Sequence, residues 1–139
     1  MAETLPSYVL DSYALLAYLQ AEPGGSAVRV LLEAARDQEA SLYMSLINVG
    51  EVYYLMRRMK GQAEAEELLA DLRTLPLMVC GVGEERVLAA AKLKADYAIS
   101  YADAFAAALA QEFNAQLVTG DPEFRSVESL ITVMWLPDR

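Results

Sequence analysis

The stretch Ser7-Tyr8-Val9-Leu10-Asp11-Ser12-Tyr13-Ala14-Leu15-Leu16-Ala17-Tyr18-Leu19 decides the fold. Its first part is an apolar β-type run that stops on a carboxylate, Asp11. Its second part, from Ala14 to Leu19, has a helix-like pattern and follows at once. A strand buried on both faces reads as a continuous apolar run, and open α/β sheets place their ligands at the C-terminal ends of such strands. Asp11 is therefore expected at the functional rim of a sheet. Other acids arriving at that rim would turn a strand end into a site.

Outward from this stretch, Glu22-Pro23-Gly24-Gly25-Ser26 is a turn with strong breakers. Ser26 is placed to cap a second helix through Ala35, with Val28, Leu31 and Leu32 at helical spacing. Arg36 to Glu39 is a polar connection, and Ala40 to Met44 reads as a short strand. Ser45 is placed to cap the next helix, which runs to Lys60. The cations Arg57, Arg58 and Lys60 suit its C-terminus, and Gly61 ends it. Gln62 to Arg73 is a further helix with Leu68, Leu69 and Leu72 inward, closed by Pro76. Leu77 to Cys80 is a third strand, and Glu84 to Ala95 a helix with Val87, Leu88, Ala91 and Leu93 as its apolar side. Ser100 opens an alanine-rich helix through Phe113, with Asn114 as its stop. Gln116 to Thr119 is a fourth strand, ending at Gly120-Asp121-Pro122, and Ile131 to Trp135 a fifth. Apolar strands alternating with helices predict an α/β fold whose sheet is parallel and covered on both faces.

The 139 residues suit one domain, 1–139, with no internal repeat or linker. At 55% hydrophobic and 22% charged the chain is globular, not disordered. A net charge of −9 repels phosphate at long range, so a nucleic-acid role needs local cations, bound metal or both. Histidine is absent, which removes imidazole acid–base catalysis, histidine-dependent nucleophiles and histidine-ligated zinc. The single cysteine, Cys80, excludes an internal disulfide and a cysteine-based zinc site, and its apolar setting predicts a buried structural thiol. There is no signal-peptide pattern, and no uninterrupted apolar run approaches the ~20 residues of a membrane span. The expected place is the cytoplasm, with no membrane partner.

Four acids stand out, and each has a structural reading beside a chemical one. Asp11 ends a strand and precedes a helix, as a capping acid does. Glu51 lies in a mostly apolar helix with Asn48 on the same face, so it requires a partner or a metal; pairing with Arg58 or exposure on a polar strip is the alternative. Asp103 follows Ser100 by three, the spacing of a capping box. Asp121 ends the fourth strand as Asp11 ends the first, and with Pro122 behind it would also cap a helix. Four carboxylates in one pocket raise each other's pKa, and divalent cations remove that conflict. Hard oxygen ligands without His or Cys select Mg²⁺ or Mn²⁺ over zinc, and such a site activates water and holds a phosphate for in-line attack.

The segments Tyr8-Val9-Leu10-Asp11-Ser12-Tyr13-Ala14-Leu15-Leu16, Asn48-Val49-Gly50-Glu51-Val52, Ile99-Ser100-Tyr101-Ala102-Asp103-Ala104 and Leu117-Val118-Thr119-Gly120-Asp121-Pro122-Glu123-Phe124 resemble the PIN-domain family, and most of all the VapC-type toxins of toxin–antitoxin pairs. The resemblance covers nearly the whole chain in the right order. It implies a single α/β/α sandwich around a mostly parallel sheet of about four or five strands. It implies a Mg²⁺- or Mn²⁺-dependent endoribonuclease whose acidic quartet, catalytic and metal-binding, falls on Asp11, Glu51, Asp103 and Asp121. Asn48, Ser12, Ser100 and Thr119 match polar positions beside those acids, and Glu123 falls where some members carry an extra acid. Homodimerisation and a cognate antitoxin protein are implied as well.

Arg57, Arg58, Lys60, Lys92, Lys94 and Arg125 are the candidates for contact with an RNA substrate, although a solvated helix face is the ordinary reading for most of them. Tyr53 and Tyr54 read as core or interface residues or as base-stacking platforms. A haloacid-dehalogenase-type phosphatase would carry a second Asp where this chain has Tyr13, and a receiver domain would need an acidic pair and a late lysine that are missing. The competitor from another class is a PIN-like protein-interaction module without efficient catalysis.

Overall fold

In the computed structural model, which describes residues 4–137, a strand at Ser7–Leu10 (β1) leads directly into a helix at Ser12–Leu19 (α1). There follow α2 (Gly25–Arg36), β2 (Ser41–Ser45), α3 (Leu46–Lys60), α4 (Gln62–Leu72), β3 (Met78–Cys80), α5 (Glu84–Asp96), α6 (Tyr101–Phe113), β4 (Gln116–Thr119), a 3-10 helix at Pro122–Val127, and β5 (Val133–Trp135). The strands form one five-stranded sheet in the order β3-β2-β1-β4-β5, every neighbouring pair parallel.

Residue alternation along the strands divides the core between the two faces. Val9, Leu117 and the half-buried Tyr43 meet the alanine-rich α6 and the inner side of α5. Leu10, Leu42 and Val118 meet α1 and α2, while Met44 packs with Val49, Val52 and Met56 of α3 and with Leu68 and Leu72 of α4. Helices therefore cover both faces, which is why the strands read as nearly unbroken apolar runs. The chain runs outward from β1 through β2 to β3, then returns to the other side of β1 for β4 and β5. The strand order reverses between β1 and β4, and a doubly wound sheet opens its crevice at the carboxyl ends of the strands flanking such a point. Asp11 follows β1 there, and Asp121 follows β4.

Several helix ends match their sequence signals. Ser45 accepts from the Ile47 amide at 3.2 Å, Gly61 ends α3 with φ +98°, and Asn114 ends α6 in the left-handed region. Cys80 is buried, and burial raises its thiol pKa, as a structural thiol requires. Two expectations differ, and the exposure of the third strand is new. Ser26 does not cap the second helix: α2 begins two residues earlier than that cap would set, at Gly25, and Gly24 precedes it in helical conformation with no side-chain cap. A close approach favours glycine at the helix start, since a Cβ on Gly25 would lie 2.5 Å from the Ala17 carbonyl oxygen of α1. The third strand is not buried along its length: β3 is a sheet edge, and Met78 is 62% exposed. Leu88 lies on the outer side of α5, 52% exposed, while Ala90 and Leu93 turn inward. A small residue at position 90 lets α5 sit close against α6, and that contact sets the rotation of the helix.

Candidate functional site

The site grows from the pairing of β1 with β4. Leu10 lies opposite Val118, so the residues that follow, Asp11 and Thr119, meet just past the ladder. Asp11 is 1% exposed. One carboxylate oxygen accepts from the Ala14 amide at 2.9 Å, which makes Asp11 the N-cap of α1; the other accepts from the Thr119 hydroxyl at 2.5 Å. Thr119 Oγ1 in turn accepts from the Asp121 amide at 3.0 Å. A single threonine thus ties the two strand-end acids together. Asp121 also caps the 3-10 helix, accepting from the Glu123 amide at 2.9 Å, with Pro122 at its first position.

Asp103 reaches the same place from the N-terminus of α6. Ser100 Oγ accepts from the Asp103 amide at 3.2 Å, as the first half of a capping box does. The second half differs from expectation: the Ser100 amide donates to the Glu123 carboxylate. Glu123 occupies the reciprocal position, and the Asp103 carboxylate is left to face the other acids. Oxygens of Asp103, Asp121 and Glu123 all lie within 4.8 Å of one another. Glu123, which the sequence places beside the quartet, is thus part of its most compact group.

Glu51 and Asn48 complete the rim from the first turns of α3. Asn48 is fully buried, and its Nδ2 donates to the Ala102 carbonyl at 3.1 Å, joining α3 to α6. Its Oδ1 and the Glu51 Oε1 are buried without a hydrogen-bond partner. Among the described residues no ion pair links Glu51 to Arg58, whose guanidinium lies 5.0 Å from the centroid of the Tyr54 ring. Ser12 lies in the first turn of α1, half-buried.

The electrostatics follow from burial and like charge. Burial is the largest influence on Asp11 and pushes its pKa up to about 7; Asp121 and Glu51 add to the rise, and the bonds from Thr119 and Ala14 oppose it. Burial also raises Asp103, with Asp121, Asp11 and Glu123 adding and the Ser100 hydroxyl opposing. Three carboxylates sharing a few ångströms, with orphaned oxygens on Asn48 and Glu51 nearby, fit a divalent cation: its charge answers the repulsion, and the donor set is all oxygen. Asp103, Asp121 and Glu123 are the residues placed to hold it, with Asp11 directly behind.

The basic candidates are more scattered. Arg57, Arg58 and Lys60 are exposed in the last turns of α3, roughly 9–14 Å beyond Glu51 along the helix axis. Lys92 and Lys94 are exposed near the C-terminal end of α5, which leads back toward Ser100. Arg125 follows Glu123 by two residues and lies 5.2 Å from the Trp135 ring centroid. Among the described residues none of the six is in an ion pair. The Tyr53 hydroxyl donates to Glu66 and accepts from Gln62, bridging α3 to α4.

Sequence reasoning gave Tyr13 no role. The structure packs its ring against Gly120, between Thr119 and Asp121. No sequence pattern pairs those two positions; only the register of β1 against β4 does.

A family model described as the PIN domain matches residues 8–130. Among solved structures, the chain is similar to VapBC2 from Rickettsia felis bound to a DNA fragment from its promoter, at 17% identity and a TM-score of 0.72, covering 94% of this chain and 99% of that one. It is similar to VapC20 of Mycobacterium tuberculosis, described as a sarcin-ricin-loop-cleaving toxin, at 15% identity and a TM-score of 0.72 with the same coverage. VapBC-1 from nontypeable Haemophilus influenzae matches at 20% identity and a TM-score of 0.67, covering 93% and 97% of the two chains. These likenesses establish a shared fold. No curated protein matches the sequence.

Proposed function

This chain belongs to the PIN domain family, and on that premise we propose that it is a divalent-metal-dependent endoribonuclease, the toxin of a VapC-type toxin–antitoxin pair. The observation that carries the reading is the convergence of Asp103, Asp121 and Glu123 beside Asp11 at the point where the strand order reverses. A protein-binding module has no use for carboxylates crowded at one rim, with Asp11 and Asp103 buried and their pKa values raised. A hydrolytic site does, because such acids hold a cation in place.

A bound Mg²⁺ or Mn²⁺ supplies charge neutralisation on a phosphate and a water of lowered pKa. The chain's own residues supply the placement. Asp103, Asp121 and Glu123 present the ligand oxygens. Thr119 and the Ala14 amide fix Asp11 behind them. Glu51 and Asn48 offer unsatisfied oxygens that orient water at the rim. Nothing in the set is a general base of imidazole type, so attack by water is favoured over attack by the RNA 2′-hydroxyl. The products are then a 5′-phosphate and a 3′-hydroxyl, and RNA ending in a 2′,3′-cyclic phosphate would contradict this route.

We further read residues 1–139 as one nuclease domain, acting in the cytoplasm as a homodimer and restrained by an antitoxin that sets an Arg or Lys against the acids. No helix among the described residues is long and apolar enough to cross a membrane. Of the cations, Arg125 is the best placed for a substrate phosphate, since it follows Glu123 by two residues. The deciding experiment is Mn²⁺ and Mg²⁺ calorimetry on wild type and Asp103→Asn. Saturable binding that collapses in a folded variant supports the site. No binding to folded wild type at millimolar metal removes the nuclease reading.

A further inference from the structure

We propose that Tyr13 is a positioning residue for the acids, its ring occupying the space of the Cβ that Gly120 lacks. A Cβ on Gly120 would lie 2.3 Å from Cε1 of Tyr13, 2.5 Å from Cζ and 2.7 Å from the phenolic oxygen. Real side chains do not approach so closely, so the ring and any larger residue at position 120 exclude each other. The backbone itself does not demand glycine here. Among the described glycines only Gly61 has a positive φ, and Gly120 is not in the left-handed region. What position 120 requires is emptiness, and Tyr13 fills it.

The placement gives that contact a purpose. Two tripeptides, Asp11-Ser12-Tyr13 and Thr119-Gly120-Asp121, lie side by side where β1 and β4 end. At one end Asp11 accepts from Thr119; at the other the Tyr13 ring lies on Gly120. Asp121 comes next, and its carboxylate belongs to the compact acidic group. Tyr13 also packs against the core cluster that contains Leu10, Val28, Leu42 and Val118. The ring therefore wedges the turn carrying Asp121 against a rigid layer. Ligand sets lose affinity when a supporting contact lets one member drift by an ångström. This inference rests on the metal reading of the acids, and it adds a residue outside the acidic and polar set that reading uses.

The test is Mn²⁺ calorimetry on full-length wild type, Gly120→Ala, Tyr13→Ala, Tyr13→Phe and the Gly120→Ala/Tyr13→Ala pair, with circular dichroism and melting temperature for each. Gly120→Ala is expected to weaken Mn²⁺ binding at least tenfold by driving the ring out. Tyr13→Ala is expected to do the same, and Tyr13→Phe to stay within threefold of wild type. The double variant is expected to bind no worse than Tyr13→Ala alone, because the clash has gone with the ring; such non-additivity marks a direct contact. A merely structural tyrosine would lower the melting temperature and leave the affinity of the folded protein unchanged, which would overturn the proposal. So would Gly120→Ala costing the same affinity with and without the ring. If Gly120→Ala does not fold, Tyr13→Ala against Tyr13→Phe decides, and equal affinities overturn it. Wild type that binds no Mn²⁺ removes the metal reading and this inference together; wild type that binds while every variant matches it removes this inference alone.

Discussion

The metal-free protein is expected to lose stability as pH rises from 5 to 8. The perturbation is clean because the chain has no histidine, so no ordinary imidazole titrates in that window. Arg86 holds the Glu112 acid lower, away from this window, and burial moves the Cys80 thiol further above it. Asp11 and Asp103 are the groups that move in, and Asp11, buried among like charges, is raised from 3.8 to about 7. Between those values the folded protein holds a proton that the unfolded chain has lost. The unfolded state then binds fewer protons, and stability falls as pH rises. The contribution is complete below pH 3.8 and lost as pH passes through 7.

At about 1.4 kcal/mol per pH unit, the part of this shift above pH 5 amounts to roughly 2–3 kcal/mol from Asp11 alone. Asp103, raised as well, adds in the same direction. Unfolding 139 residues carries an entropy near 0.3 kcal/mol/K, so the melting temperature should drop by about 7–10 °C. The assay is thermal unfolding followed by circular dichroism in EDTA at half-unit pH steps. Asp11→Asn should flatten a large part of the slope, and Mn²⁺ at a hundred times its Kd should restore about 2.7 kcal/mol at pH 8. A melting temperature that is level or rises across pH 5–8 would refute the claim that the acids are crowded and buried.

Glu123→Gln should weaken Mn²⁺ binding at least tenfold, about as much as Asp121→Asn; calorimetry giving wild-type affinity would return Glu123 to a purely capping role at Ser100. Asn48→Ala should cost about 1–3 kcal/mol in urea unfolding, because the Ala102 carbonyl loses its buried donor; an unchanged midpoint would show that water replaces it. Gly25→Ala should destabilise by about 1–3 kcal/mol, since its Cβ meets the Ala17 backbone and not a mobile side chain; a neutral effect would mean that α2 shifts freely on α1.

The fold was legible because apolar strands alternate with helices, and β1, β2 and β4 lead into helices capped by Asp11, Ser45 and Asp121. That β3 is an edge, with Met78 and Val79 exposed, was not legible, because apolarity alone does not say how many neighbours a strand has. Leu88 misled because a helix surrounded by alanines has several faces that would pack, and the choice falls to the partner helix. At the site, the positions of Asp11 and Asp121 follow from their places at strand ends. The centrality of Glu123 does not, because it depends on the bond from the Ser100 amide, made across 23 residues of sequence. The meeting of Tyr13 with Gly120 was invisible, being a matter of register and of an absent side chain.

The choice between a capping acid and a site acid, posed by the sequence at three of the four positions, is not a real alternative in this fold. Asp11 caps α1, Asp121 caps the 3-10 helix, and Asp103 stands in the first turn of α6 behind Ser100. A parallel sheet sends each strand end into a connection whose helix begins at the rim, so free amides and the positive end of the helix dipole gather where strands stop. Those amides bind carboxylates and lower their pKa, which offsets part of the repulsion that crowding produces. For Asp11 the Ala14 amide does this visibly, yet burial still outweighs it. Caps alone therefore gather the acids without neutralising them. What remains unbalanced is negative charge at a fixed point on the rim, beside the unsatisfied oxygens of Asn48 and Glu51. A structural role explains where each acid is; the cation proposed above would explain why they are together.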